Sequence, residues 1–410
     1  MKIGDFCRGS YPAGLLYFNK ELWTDQGVRQ AADTGADFIL GAESSEPLLG
    51  LCEKHKLGII SNSNITPFWW GGDGKKAGLY AEQFPPEKLE EIKNYPLSPV
   101  LWGDYFIDEP NSRDFVHINK VIKAYNKKFP GKLPYIDLYP NYGRIPSNNS
   151  EEIIEQLGNR TYAEHIEQYV REIDLPYISF DFYPFTGCFS TYLENLETVA
   201  EACKRSKKEM WVVIQAGAWK KEEILEDFQI AWQVNMCLAF GARAIIFANY
   251  SKGWWEESTS CVNNKGEKNI TYDYVQNAIS FLHSSYGTEF LKYEYAGAGV
   301  FGDLRSSDER IKPQLENLDR NPSFLPDMEI ESDRSVITGF YKKNSGYALL
   351  ITNTHNPFER SNTANVKIRA KKLKINAVYE SSKTENKAKI ADNNSELSIQ
   401  SGQGVLVTLS

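Results

Sequence analysis

The chain has 410 residues, 41% of them hydrophobic and 13% aromatic, and a formal net charge of −8. That length suits one (β/α)8 barrel plus a module of roughly 100 residues, with enough apolar side chains for a full core. The acidic balance argues against nucleic acid or an anionic membrane as partner, because phosphate binding needs clustered Lys and Arg, and no run of 18 apolar residues offers a membrane span.

Taken in chain order, apolar strand-like runs fall at 2–8, 36–42, 57–62, 99–108, 133–139, 176–183, 209–215 and 242–249. Helical patterns alternate with them: Thr24 to Thr34, Ser45 to His55, Arg113 to Lys128, Thr161 to Asp174, Tyr192 to Lys207, Glu222 to Phe240 and about 272–291. Strand and helix in strict alternation predict a parallel sheet with crossover helices. Eight such units predict a (β/α)8 TIM barrel over residues 1–293, and no GxGxxG loop follows the first run to suggest a doubly wound sheet. From 294 to 410 short alternating runs take over, at Ser335 to Tyr341, Tyr347 to Thr352, Ala364 to Ile368, Ile375 to Val378 and Gly404 to Leu409. They predict a small antiparallel β-sandwich, preceded by an irregular connector at Asp303 to Asp327, so the fold class is α/β with a β-sandwich appended.

Residue types narrow the chemistry. The six cysteines, Cys7, Cys52, Cys188, Cys203, Cys237 and Cys261, are scattered without CxxC spacing, which favours isolated buried thiols over zinc or a disulfide scaffold. His55, His117, His165 and His283 lie in predicted helices and His355 in a sandwich turn, so no histidine stands at a barrel strand end. Ser-His-Asp and Cys-His catalysis and most zinc or iron sites lose their essential ligand or base, and neither a metal nor a cofactor is expected.

What the strand ends do offer is carboxylates, amides and phenols. The second strand leads to Glu43, the third to Asn62, the fourth to Asp108 and Glu109, and the fifth to Asp137, Tyr139 and Asn141. The sixth carries Asp181 and Tyr183 on one parity, the seventh ends in Gln215 and the eighth in Asn249. Active sites of such barrels sit at this C-terminal face. Trp69, Trp70, Trp219 and Trp255 fall in the loops beyond, and aromatic faces next to hydroxyl-binding side chains are what a sugar ring requires. By strand parity Asp108 faces away from Glu109 and anchors the strand end.

The run Leu101-Trp102-Gly103-Asp104-Tyr105-Phe106-Ile107-Asp108-Glu109-Pro110 closes in an Asp-Glu-Pro tripeptide. With a C-terminal sandwich behind it, this pattern resembles the clan A glycoside hydrolases, many of them bacterial polysaccharide-utilisation enzymes. The resemblance implies a barrel hydrolase in which Glu109 is the general acid/base. It departs at strand seven, where the family carries a nucleophilic glutamate and this chain has Gln215. The second carboxylate is then Asp181 or, failing that, Glu43. A strand-four and strand-six pair also resembles the α-galactosidase-like enzymes.

The expectation is therefore two-carboxylate cleavage of an oligo- or polysaccharide, with Glu109 as proton donor and Asp181 acting across the anomeric carbon. Glu43, Asn62, Tyr139, Asn141, Tyr183, Gln215 and Asn249 would hold hydroxyls, and Trp69, Trp70, Trp219 and Trp255 would stack on rings. The alternatives are a non-catalytic carbohydrate-binding barrel and a metal-dependent isomerase using Glu43, Glu109, Asp137 and Asp181. Relatives of this kind are exported, so the expected location is extracytoplasmic after removal of a signal peptide and cytoplasmic otherwise. No pattern in the sequence sets an oligomeric state.

Overall fold

In the computed structural model, which describes residues 1–7, 9–62, 65, 78–143, 156–305, 307–320, 328–344, 346–380 and 394–410, the apolar runs become one parallel sheet. Its strands are β1 (Ala13–Leu16), β2 (Phe38–Ala42), β3 (Gly58–Ser61), β4 (Leu101–Asp108), β5 (Leu133–Asp137), β6 (Tyr177–Phe182), β7 (Glu209–Gln215) and β8 (Ala242–Ala248). They are ordered β5-β4-β3-β2-β1-β8-β7-β6, a TIM barrel whose seam lies between β5 and β6.

The first predicted strand is displaced. Residues 2–8 contain a 3-10 turn, Ile3–Asp5, because the Lys2 backbone N–H finds the Asp5 carboxylate at 2.8 Å rather than a neighbouring strand. The strand that pairs with both β2 and β8 is the short run Ala-Gly-Leu-Leu at 13–16, every residue of it buried.

The seam is closed by side-chain and backbone groups together. Leu138 and Phe180 form a single parallel bridge, with the Leu138 N–H donating to Ser179 O at 2.8 Å. Just below, the Tyr177 hydroxyl donates to Pro134 O (2.7 Å) and accepts from Ile136 N–H (3.1 Å), standing where a ladder partner is missing. Its ring lies flat on Trp211, with centroids 3.6 Å apart. Buried backbone polar groups must be paired, and at this seam a phenol supplies the pairing.

The outer helices begin where the sequence provides caps. Thr161 opens Tyr162–Glu172 with a reciprocal capping box to Glu164. The helix Asp227–Ala239 is buried almost all round, because the barrel takes one face and the C-terminal sheets the other. Those sheets are antiparallel, one of order β10-β13-β15 and one of order β14-β16-β12-β11-β9. Their strands are β9 (Glu294–Phe301), β10 (Met328–Ser332), β11 (Val336–Lys343), β12 (Gly346–Asn353), β13 (Thr363–Ala370), β14 (Ile375–Glu380), β15 (Asn394–Gln400) and β16 (Gly404–Leu409). Val366, Ile368 and Ile399 from one sheet meet Leu349, Ile351 and Val407 from the other in a separate core. The Tyr341 hydroxyl donates to Leu238 O, and the Asn235 amide donates to Gly402 O at 3.0 Å, joining sandwich to helix. Among the described residues no helix is long and apolar enough to cross a membrane.

Removing the seam hydroxyl isolates its role. Tyr177→Phe keeps the stack on Trp211 but leaves Ile136 N–H and Pro134 O unpaired in the core. The expected loss is about 1–3 kcal/mol of unfolding free energy in urea titration, and an unchanged midpoint would show the hydroxyl to be dispensable.

Candidate active site

Carboxyls gather on the β4–β6 side of the barrel mouth, and a one-residue irregularity in β4 sets the place of one of them. Tyr105 pairs in register with Tyr135, but the next pair is Ile107 with Ile136, so Phe106 is bulged out of the ladder. The bulge resets the alternation, and Asp108 comes into register with Asp137 beside it. The expectation that Asp108 turns away from the site is thereby overturned: its Oδ1 accepts from the Tyr105 hydroxyl at 2.7 Å, the contact of two residues on one face. Glu109 follows in the left-handed region at φ 49°, uncommon for a residue with a side chain, and its N–H is tied to Asp137 O at 2.9 Å. It is only 8% exposed.

From β5 and β6 come two further carboxyls. Asp137 Oδ1 accepts from Ser179 Oγ (2.6 Å) and from the Tyr135 hydroxyl (3.1 Å), which fixes it at the floor. Asp181 is hydrogen-bonded by Tyr183, while its Oδ1 is buried with no partner. The electrostatics follow from crowding in a dry place. Burial pushes Asp108 up to about 6, against the pull of the Tyr105 hydrogen bond. Burial and then the charge of Asp108 push Asp181 up to about 8. Asp137 is held well above the usual carboxylate range by burial and by the charges of Asp181 and Asp108. The three titrate as a group that shares protons at neutral pH. Glu109 belongs to the same assembly, since its charge, with that of Asp181, acts on the half-buried phenol of Tyr142.

Aromatic rings wall the group. Tyr183 meets Trp255 edge-on at 5.1 Å and Trp254 at 5.7 Å, and Trp219 stands edge-on to Trp255 at 4.8 Å. Trp219 is 54% exposed and presents an open face, whereas Trp255, expected to stack on a ligand, is buried and backs the wall instead. Tyr139 is half-buried and packs edge-on against Tyr142.

Several expected hydroxyl-binding side chains prove committed elsewhere. The Gln215 amide accepts from Phe185 N–H and donates to Gly217 O, both at 2.9 Å, pinning two loops. The Asn141 amide donates to Thr191 O at 3.0 Å, and its backbone N–H donates to Asn195 Oδ1 at 2.7 Å. Asn249 is fully buried, with neither amide atom paired, so it is not open to a ligand in this conformation. Glu43 is exposed and Asn62 half-buried, both at a cavity on the β1–β3 side of the mouth. Trp69 and Trp70 lie outside the described residues.

Of the residues around the candidate site, Tyr17 was not singled out from the sequence, and Asp108 was expected only to anchor the strand end. Tyr17 follows β1 directly, and the apolar run Ala13-Gly14-Leu15-Leu16 ending in a tyrosine was the signal for it. Among the described residues no group of three or more His, Cys, Asp or Glu is arranged to hold a metal ion.

Comparison with models of known protein families and with curated proteins finds no match. Similar solved structures are glycoside hydrolases of several families. They include a GH27 β-L-arabinopyranosidase from Geobacillus stearothermophilus (8% identity, TM-score 0.49, covering 98% of this chain and 97% of that one). A GH10 xylanase from Thermobacillus composti has 9% identity and TM-score 0.41, covering 68% of this chain and 100% of that one. A Bacteroidetes-affiliated GH5 cellulase has 11% identity and TM-score 0.44, covering 66% and 90%. At these identities the likeness concerns the backbone path and leaves the chemistry to the site itself.

The raised carboxyls carry a stability signature. Asp181 ionises near 4 in an unfolded chain and near 8 here, so the folded state holds the extra proton between those values. Stability from this group is complete below pH 4 and is lost as pH rises through 8. Asp181→Asn removes that dependence. In calorimetry its Tm relative to wild type is expected to climb by several degrees between pH 4.5 and 8.5; a constant offset would mean an ordinary carboxylate.

Proposed function

We propose that the protein is a glycoside hydrolase that cleaves an oligo- or polysaccharide, drawing its two carboxyls from β4 and β6. The observation that carries this reading is the pair of buried carboxyls Glu109 and Asp181, with Asp108 among them, beside an aromatic wall, and Gln215 on β7 bound into the scaffold. Glycosidic cleavage needs a proton donor on one side of the bond and a carboxylate on the other.

In this reading the roles expected from strand position are exchanged. Asp181 keeps a proton at neutral pH and is equipped to donate to the departing glycosidic oxygen. Glu109 acts across the anomeric carbon, as nucleophile or as base for water. Its left-handed backbone supports that assignment, since strained conformations at non-glycine residues concentrate where function demands them. Asp108 is a positioning residue whose negative charge, added to burial, keeps the proton on Asp181. Trp219 offers a sugar ring its apolar face, and the Tyr183 hydroxyl orients the donor.

Glu109→Gln and Asp181→Asn are expected to lower kcat on aryl glycosides and plant oligosaccharides by roughly 10²–10⁴ each, while oligosaccharide binding by calorimetry persists. Hydrolysis that survives both changes would overturn the pair. Binding without turnover by the wild type would make the protein a carbohydrate-binding barrel.

A further inference from the structure

Tyr17 stands at the hinge between the carboxyl group and a second cavity, and its surroundings are built to keep it there. The residue is left-handed, φ 64°, although it is not glycine. Its N–H donates to Leu40 O at 2.9 Å and its carbonyl accepts from Ser251 Oγ at 3.3 Å, so β2 and the loop after β8 lock that conformation. Gly41 and Gly253 leave the slot for the ring, because a Cβ at either position would lie 3.0 Å from its carbons. Trp254 closes the slot edge-on at 5.5 Å.

The hydroxyl end lies in the field of Asp108, Asp181, Asp137 and Glu109, which together with burial hold the phenol above its ordinary range, so it stays a neutral donor. The side chain is half-buried. The flank of the ring lines a cavity of about 350 Å3 at the ends of β1, β2, β3 and β8. Trp23, Glu43, Asn62 and Lys252 line it as well, giving one aromatic face, one acceptor, one amide and one ammonium donor. Neutral polyols are bound by such mixtures, and the volume accommodates one or two sugar units.

We infer that Tyr17 contacts the sugar unit seated against the carboxyls, and that the cavity beyond it is a subsite for a neighbouring sugar unit of the same chain. The inference rests on the glycoside hydrolase reading and adds to it the direction in which the substrate extends, across Tyr17 toward Glu43 and Asn62. A substrate of at least two linked sugars follows.

The experiment compares wild type, Tyr17→Phe and the double variant Glu43→Gln/Asn62→Ala on a linear series from disaccharide to tetrasaccharide, with folding checked by circular dichroism. Tyr17→Phe is expected to lower kcat/KM roughly tenfold at every length, the loss of one substrate hydrogen bond. The double variant is expected to lose roughly tenfold on the tetrasaccharide, mostly through KM, and less on the disaccharide. Wild-type efficiency in Tyr17→Phe, or a loss in the double variant that ignores chain length, would overturn the inference. Should the wild type hydrolyse none of the series, the hydrolase reading fails separately. Calorimetric binding of the tetrasaccharide then decides, with unchanged affinity in the double variant counting against the cavity.

Discussion

The bulge at Phe106 is the constraint on which the site depends. In a regular strand Asp108 would alternate outward with Asp104, the carboxylate that accepts from Tyr95 and Tyr125 on the helix side. One unpaired residue turns Asp108 inward, sets it beside Asp137 on the neighbouring strand, and delivers the chain to the left-handed turn at Glu109. Bulges next to active sites commonly re-aim a side chain in this way. Here the consequence is electrostatic, for it brings Asp108 close enough to raise both Asp137 and Asp181.

Crowding carboxyls in a barrel opposes folding, and the structure offsets it locally. Below the acidic layer, Tyr135, Tyr177 and Trp211 stack in a rigid aromatic floor, and the phenols of Tyr105 and Tyr135 and the Ser179 hydroxyl hydrogen-bond to the carboxyls above them. Desolvation is tolerated because protonation replaces ionisation: a buried carboxyl that keeps its proton avoids the much larger cost of an unpaired buried charge. The same retained proton is what a general acid requires. Stability at alkaline pH and capacity to donate are therefore opposed properties of one residue, Asp181.

How far the sequence reveals this differs from element to element. Seven of the strands are legible as apolar runs between helical periodicities, because buried parallel strands are apolar on both faces. The first was misplaced because the apolar run at 13–16 is only four residues long and holds a glycine, and with it went Tyr17. β9, with its Ala-Gly-Ala-Gly core, and the polar β10 and β15 gave too little alternation to be seen. Glu109 and Asp181 stand at strand ends, as their sequence positions suggested. The inward turn of Asp108 was not legible, since alternation assumes a regular strand and nothing in Tyr105-Phe106-Ile107 announces a bulge. The hydrogen bonds of Gln215 and Asn141 and the burial of Trp255 were not legible, because only tertiary structure decides whether a polar or aromatic strand-end residue faces a ligand or fastens a loop.

The central claim is that Asp181 holds a proton at neutral pH because it is buried and lies beside the charge of Asp108. Carboxyl 13C NMR of aspartate-labelled protein tests it directly, by pH titration of the wild type, Asp181→Asn and Asp108→Asn. The account predicts several carboxyls titrating above the ordinary range in the wild type, with one near pH 8 that is absent in Asp181→Asn and moved to lower pH in Asp108→Asn, where a neighbouring negative charge is gone. A wild type in which every aspartate ionises below about pH 5, as unperturbed carboxyls do, would contradict it.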